Sequence, residues 1–206
     1  MLRRFVSDQR GIAALEFAVG APVMITLLLG GVDSSRYALA TRRIDRVAAN
    51  IGQMVSVNTT ATMTAADLQF YEDGAMVVFP LVLQDASQLG TTWQTDMPIT
   101  VSSVKFAVTN GKTVATVAWS VGPKKRACNS PLTSVPDTSA PSPTTLAQDA
   151  FGTGTIIVVD VGFTFRPTIA TRMLPSVAIT RSFYVQPRYV PAIAFGGTAG
   201  STVNQC

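Results

Sequence analysis

Histidine is absent from the 206 residues. With it go the commonest general base and the commonest zinc ligand. A Ser-His-Asp triad is excluded outright. Charge is scarce as well: Asp, Glu, Lys and Arg make up 14% of the chain, against 47% hydrophobic residues. That balance argues against disorder and for a membrane segment or a strand-rich body. The net charge of +4 is not gathered into a stripe. Its densest basic run, Lys124-Lys125-Arg126, is too short to track a phosphate backbone, so no nucleic-acid partner is expected. Cysteine is limited to Cys128 and Cys206, without the CxxC spacing of a metal or redox motif. They are either two unrelated thiols or, in an oxidising compartment, one disulfide tying the C-terminal residue to a mid-chain loop. Such a bridge is worth about 4 kcal/mol in the chain-entropy picture. There is no Gly-x-Ser-x-Gly, no phosphate loop and no carboxylate pair, and Glu72-Asp73-Gly74 lacks calcium-loop spacing. No enzymatic activity, cofactor or metal is expected.

What the chain does have is a distinctive start. A short leader carrying Arg3, Arg4 and Arg10 runs into residues 12–32, an apolar stretch interrupted by one charge, Glu16, and one proline, Pro22. As a helix this stretch is about 31 Å long, the thickness of a hydrocarbon core. The basic leader puts the N-terminus in the cytoplasm and everything after Asp33 on the far side. Arg36, Arg42, Arg43 and Arg46 weaken that asymmetry, partly offset by Asp33 and Asp45. Three readings compete. A secretory signal peptide finds an A-x-A site at Ala38-Leu39-Ala40, but Asp33 and Arg36 crowd the cleavage region. A plain signal anchor has no use for Glu16. A prepilin, cut between Gly11 and Ile12, gives Glu16 a role, and a charge at membrane depth costs roughly 2.5–3.5 kcal/mol and is usually functional.

The run Arg10-Gly11-Ile12-Ala13-Ala14-Leu15-Glu16-Phe17-Ala18, followed by Gly20-Ala21-Pro22 and a Leu-rich stretch to Gly30-Gly31-Val32-Asp33, resembles the TadE-like minor pilins of the bacterial tight-adherence (Flp, type IVb) pilus system. The resemblance covers about the first 50 residues. A weaker echo lies in Ile157 to Pro167 and in Arg181 to Tyr189, with its closing Pro187-Arg188-Tyr189. Val19-Gly20-Ala21 is poorer in Leu than many members. The resemblance implies a leader of residues 1–11 removed by a prepilin peptidase, with Gly11 and Ile12 flanking the cut. It implies that Glu16, beside Phe17, meets the new N-terminal amine of a neighbouring subunit. In a low dielectric either charge alone is costly, so the pair selects one stagger. Pro22 removes a helix donor and either kinks the helix near Ala18 or is an ordinary tolerated proline. The implied partners are the prepilin peptidase, the major and minor pilins, the inner-membrane assembly platform and the membrane itself. The implied location is the bacterial inner membrane in a single pass, with the C-terminal domain periplasmic or incorporated in an extracellular pilus.

Beyond the span, Ile44, Val47, Ile51 and Met54 recur at helical spacing among charged residues. Residues 12–57 therefore read either as one helix of ~70 Å or as two helices broken near Gly30-Gly31. Residues 58–206 form the head. Asn58-Thr59-Thr60 reads as a turn, Thr64-Ala-Ala-Asp67 as a capped helix start that Pro80 ends, and residues 122–154 as a long Pro/Ser/Thr-rich loop. From Thr95 the period switches to two, through Ile99, Val101, Val104, Phe106 and Val108, with Asn110-Gly111 between two such runs as a hairpin signal. Thr155 to Phe165 and Val177 to Tyr189 add two strands. Asp160 either faces solvent or pairs with Arg181 or Arg188, and the Gly-rich tail is flexible as far as Cys206. The fold class is α+β: a long N-terminal transmembrane and amphipathic helix packed on a roughly four-stranded antiparallel sheet, as in pilins. The function expected is a minor pilin or pseudopilin acting in pilus assembly and surface adhesion. The alternatives are a single-pass anchored periplasmic binding domain that joins no filament, and a secreted enzyme released after Ala40.

Overall fold

The computed structural model describes residues 10–169, 175–197 and 203–205, with side chains from residue 13 to 169 and 175 to 197. The leader before Arg10 and Cys206 lie outside the described residues. Helix α1 spans Arg10–Ser56 and passes without a break through Pro22 and the Gly30-Gly31 pair. Of the two helix readings, the single helix is the one observed. The chain divides into two compact units, Met1–Ala40 with Phe165–Ser176, and Thr41–Thr164 with Val177–Cys206.

The larger unit is the α+β head. Its remaining elements are β1 (Thr62–Met63), α2 (Ala65–Val78), α3 (Leu81–Leu89), α4 (Trp93–Asp96), β2 (Ile99–Thr109), β3 (Lys112–Val121), β4 (Thr133–Val135), β5 (Thr145–Ala147), β6 (Thr155–Phe165), β7 (Val177–Val185), β8 (Ala194–Phe195) and β9 (Val203–Gln205). The main sheet runs β7-β6-β2-β3-β9. β2 pairs antiparallel with both β3 and β6, and β9 antiparallel with β3. The four expected strands are present, and a fifth short one comes from the tail. The hairpin turn carries positive φ at both Asn110 (52°) and Gly111 (74°), the geometry that Asn-Gly favours between twisted strands. Thr64 caps α2 reciprocally: its hydroxyl accepts from the Asp67 N–H at 3.3 Å, and its own N–H donates to the Asp67 carboxylate at 2.9 Å. Pro80 separates α2 from α3. The latter helix is absent from the sequence reading, although Pro80 in front and Gly90 behind it are the expected boundary residues.

One face of the sheet takes the outer half of α1. Ile44, Val47, Ile51 and Val55 are fully buried there. Contact is close at Gly52, where a Cβ would stand 2.5 Å from the Phe183 ring, so only glycine lets the helix lie this near β7. Arg181 on β7 pairs with Asp45 of the helix at 3.0 Å. Phe163 of β6 meets Phe79 edge-on at 5.1 Å.

The opposite face is covered by residues that the sequence reads as a long loop. Leu132 and Leu146 join Val104, Ala115, Val117, Ile156 and Val158 in one buried cluster, and β4 and β5 pair in parallel within this stretch. The physical reason lies in β6. Ile156, Ile157, Val158 and Val159 are all buried, so the strand is apolar on both sides and needs cover on both. Residues 122–154 are therefore a packed layer.

Candidate functional site

Two places carry polar chemistry in apolar surroundings: the bare half of α1 and the staple that holds the second layer.

On α1, residues 13–28 are exposed almost without exception. Leu15 is 67% exposed, Phe17 75% and Leu28 68%. An apolar surface this large and continuous, left exposed by the described residues, marks a site for lipid or for another protein. The helix is long and apolar enough to cross a membrane. Glu16 lies on this surface, exposed and next to Phe17. Gly11 and Ile12 are helical in the first turns of the same helix. Pro22 sits inside it, and the Thr26 hydroxyl donates to the Pro22 carbonyl at 2.8 Å. The sequence-derived residues Gly11, Ile12, Glu16, Phe17 and Pro22 thus lie on one helical segment within about three turns. Among the described residues no hydrogen bond or ion pair holds the Glu16 carboxylate in place.

The staple was not visible in the sequence reading. Arg126, 1% exposed, reaches Asp160 at 2.7 Å and donates to the Ser142 and Thr145 carbonyls at 2.7 and 2.6 Å. Ser182 donates to the other Asp160 oxygen, and the Arg126 N–H donates to the buried Ser120 hydroxyl at 2.9 Å. The partner of Asp160 is therefore Arg126, and neither Arg181 nor Arg188. Parity explains it. Asp160 shares a strand face with Ile156 and Val158, which is the face covered by residues 122–154. With several buried hydrogen bonds to one guanidinium, the arrangement is structural.

Cys128 belongs to the same covering layer, whereas Cys206 lies outside the described residues. Between α2, α4 and the ends of β2 and β3 there is a cavity of about 290 Å³, lined by Leu68, Trp93, Met97, Ile99 and Val121, with Glu72 among its walls. Burial, and then the neighbouring Asp73, push the Glu72 carboxyl up to about 7. No group of three or more His, Cys, Asp or Glu side chains suited to a metal occurs among the described residues.

Together these features define a class: an α+β head joined to a long helix whose first half presents an uncovered apolar surface bearing one carboxylate. Comparison with known families finds a likeness confined to the first quarter of the chain. Residues 11–53 match the family of TadE-like proteins, as the N-terminal motif led one to expect. The match takes in the helix and stops before β1, so it does not include the C-terminal echo at residues 157–189. No curated protein and no solved structure matches the chain.

Proposed function

We propose that this chain is a minor pilin, or pseudopilin, of a tight-adherence type IVb pilus. It acts by assembly and not by catalysis, is cut by a prepilin peptidase between Gly11 and Ile12, and serves pilus assembly and surface adhesion. The observation that carries the reading is the bare half of α1: an apolar helix that the described residues leave exposed, with a single carboxylate, Glu16, inside the stretch that matches the TadE-like family. A membrane covers such a helix before assembly. Neighbouring subunits would cover it afterwards, and the amine freed on Ile12 would give Glu16 its partner. On this reading the head lies in the periplasm, and the other pilins and the inner-membrane platform are the partners.

N-terminal sequencing and intact mass of the mature protein test the cut. Loss of residues 1–11 is expected, whereas a chain that begins after Ala40, or an uncut one, would sink the reading. Glu16→Ala is expected to be cut normally and to drop out of purified filaments. Normal incorporation of that variant would favour the second reading, a single-pass anchored periplasmic binding domain, which has no use for the carboxylate.

The same reading places the head in an oxidising compartment, and we propose a Cys128–Cys206 disulfide there. In its support, Gln205 pairs with Trp119 on β3, and Asn129, next to Cys128, donates to the Val117 carbonyl on that strand at 3.1 Å. The neighbours of both cysteines thus meet one end of β3. A mass increase of two hydrogens on reduction is the expected outcome, and two freely alkylated thiols in the periplasmic protein would refute the bridge.

A further inference from the structure

The smaller compact unit holds a contact that the reading above does not use. Asp33 directly follows the last residue of the apolar stretch, yet it is 1% exposed. The segment Phe165–Ile169, which leaves the end of β6, reaches it. The Asp33 carboxylate accepts from the Thr168 N–H at 3.4 Å, the Thr168 hydroxyl at 3.4 Å and the Ile169 N–H at 3.3 Å. Arg36 donates to the Thr168 hydroxyl oxygen. Tyr37 stands edge-on to Phe165 with ring centroids 5.5 Å apart. Ile169 is left 41% exposed.

The position along the helix decides what this segment faces. Asp33, Arg36 and Tyr37 stand roughly 1.5 to 7.5 Å past the last apolar residue at the helical rise. The headgroup layer on each side of a bilayer is roughly 5–8 Å deep. A segment fastened to that turn lies in the headgroup layer whenever residues 12–32 span the membrane. Its chemistry suits that depth. Tyr37 and Phe165 are aromatic, Arg36 is an exposed cation that can meet anionic phosphates, and Ile169 is a partly exposed apolar residue. The buried carboxylate fits too. A bare Asp at the hydrocarbon edge is costly, whereas one that accepts two backbone N–H groups is tolerated and removes those donors from contact with lipid.

We infer that Phe165–Ile169 is a lipid-contacting foot, latched by Asp33 to the helix at the membrane surface, with Ile169 reaching the boundary between headgroups and acyl chains. The inference rests on the span reading of α1, and the test separates the two. A photoreactive benzophenone amino acid is placed at position 169, and separately at position 27, in the full chain. The protein is held in nanodiscs of mixed phosphatidylethanolamine and phosphatidylglycerol, and phospholipid adducts are counted by mass spectrometry after irradiation. Adducts at both positions are expected. Adducts at 27 but not at 169, or only protein–protein adducts at 169, overturn the foot and leave the span standing. No lipid adduct at 27 overturns the span itself. Adding Asp33→Ala to the 169 probe is expected to lower its lipid adducts several-fold while leaving those at 27 unchanged. An undiminished yield at 169 would show that Asp33 is not the latch.

Discussion

The two halves of α1 are made of the same kinds of residue and meet opposite fates. Ile44, Val47, Ile51 and Val55 lie fully buried under the sheet, while Leu15, Phe17, Leu27 and Leu28 stand about two-thirds exposed on the same continuous helix. The outer half alternates its apolar residues with Arg42, Arg43, Asp45 and Arg46, so it has one apolar stripe and the fold supplies one surface to cover it. The inner half is apolar all round, so no single face of a head could cover it, and a solvent or a ring of neighbours must do so. An apolar side chain in the outer half therefore reports on folding, and on the proposed function one in the inner half reports on insertion or assembly.

The largest effect expected lies in the head. Arg126→Ala leaves the Asp160 carboxylate without its cation and frees residues 126–145 from β6. Breaking a buried ion pair on one side costs about 3–5 kcal/mol. Denaturant unfolding of the detergent-solubilised protein, followed by tryptophan fluorescence, should show that loss. A loss near zero would mean that the layer is held by Leu132 and Leu146 alone.

The contrast between the halves is tested most directly by a pair of truncations. Ile51→Ala is expected to lower head stability by about 2–5 kcal/mol through lost burial and a residual cavity. Leu27→Ala should leave the same unfolding transition where it was. Equal losses from the two would break the distinction between a folding half and an inserting half.

The smallest effect sharpens the comparison within the head itself. Glu72 is held near 7, chiefly by burial. The folded state keeps a proton there that the unfolded chain gives up near 4.5, the group's ordinary value. Stability therefore falls as pH rises from about 4.5 to about 7 and levels off above that. In Glu72→Gln that downward slope should vanish, and an unchanged slope would assign the pH dependence to another group.

Much of this was legible in the residues. The N-terminal span, Thr64 with Asp67 at the start of α2, Asn110-Gly111 at the hairpin and the four main strands are local patterns, set by spacing along a few turns or a few strand residues. The Gly11–Glu16 register was equally local, which is why the start of the chain could be likened to a family before any fold was known. The second layer was missed for want of weight on a signal that was present. Ile156-Ile157-Val158-Val159 has no alternation, so β6 must be covered on both faces, and residues 122–154 are the long stretch placed to do it. The Arg126–Asp160 pair and the fifth strand had no local signal at all. Each joins residues far apart in the chain, and Lys124-Lys125-Arg126 looks from composition like any solvated basic run.

Sequence alone determined how far the apolar surface of the helix runs and which single carboxylate interrupts it, because each depends on the order of neighbouring residues. Only the tertiary structure decided which half of that helix is left bare, which arginine meets Asp160, and that Asp33 lies beneath Phe165–Ile169. Those outcomes turn on which distant segment arrives to cover a given face, and burial is a property of the assembled surfaces, with no fixed spacing in the chain to announce it.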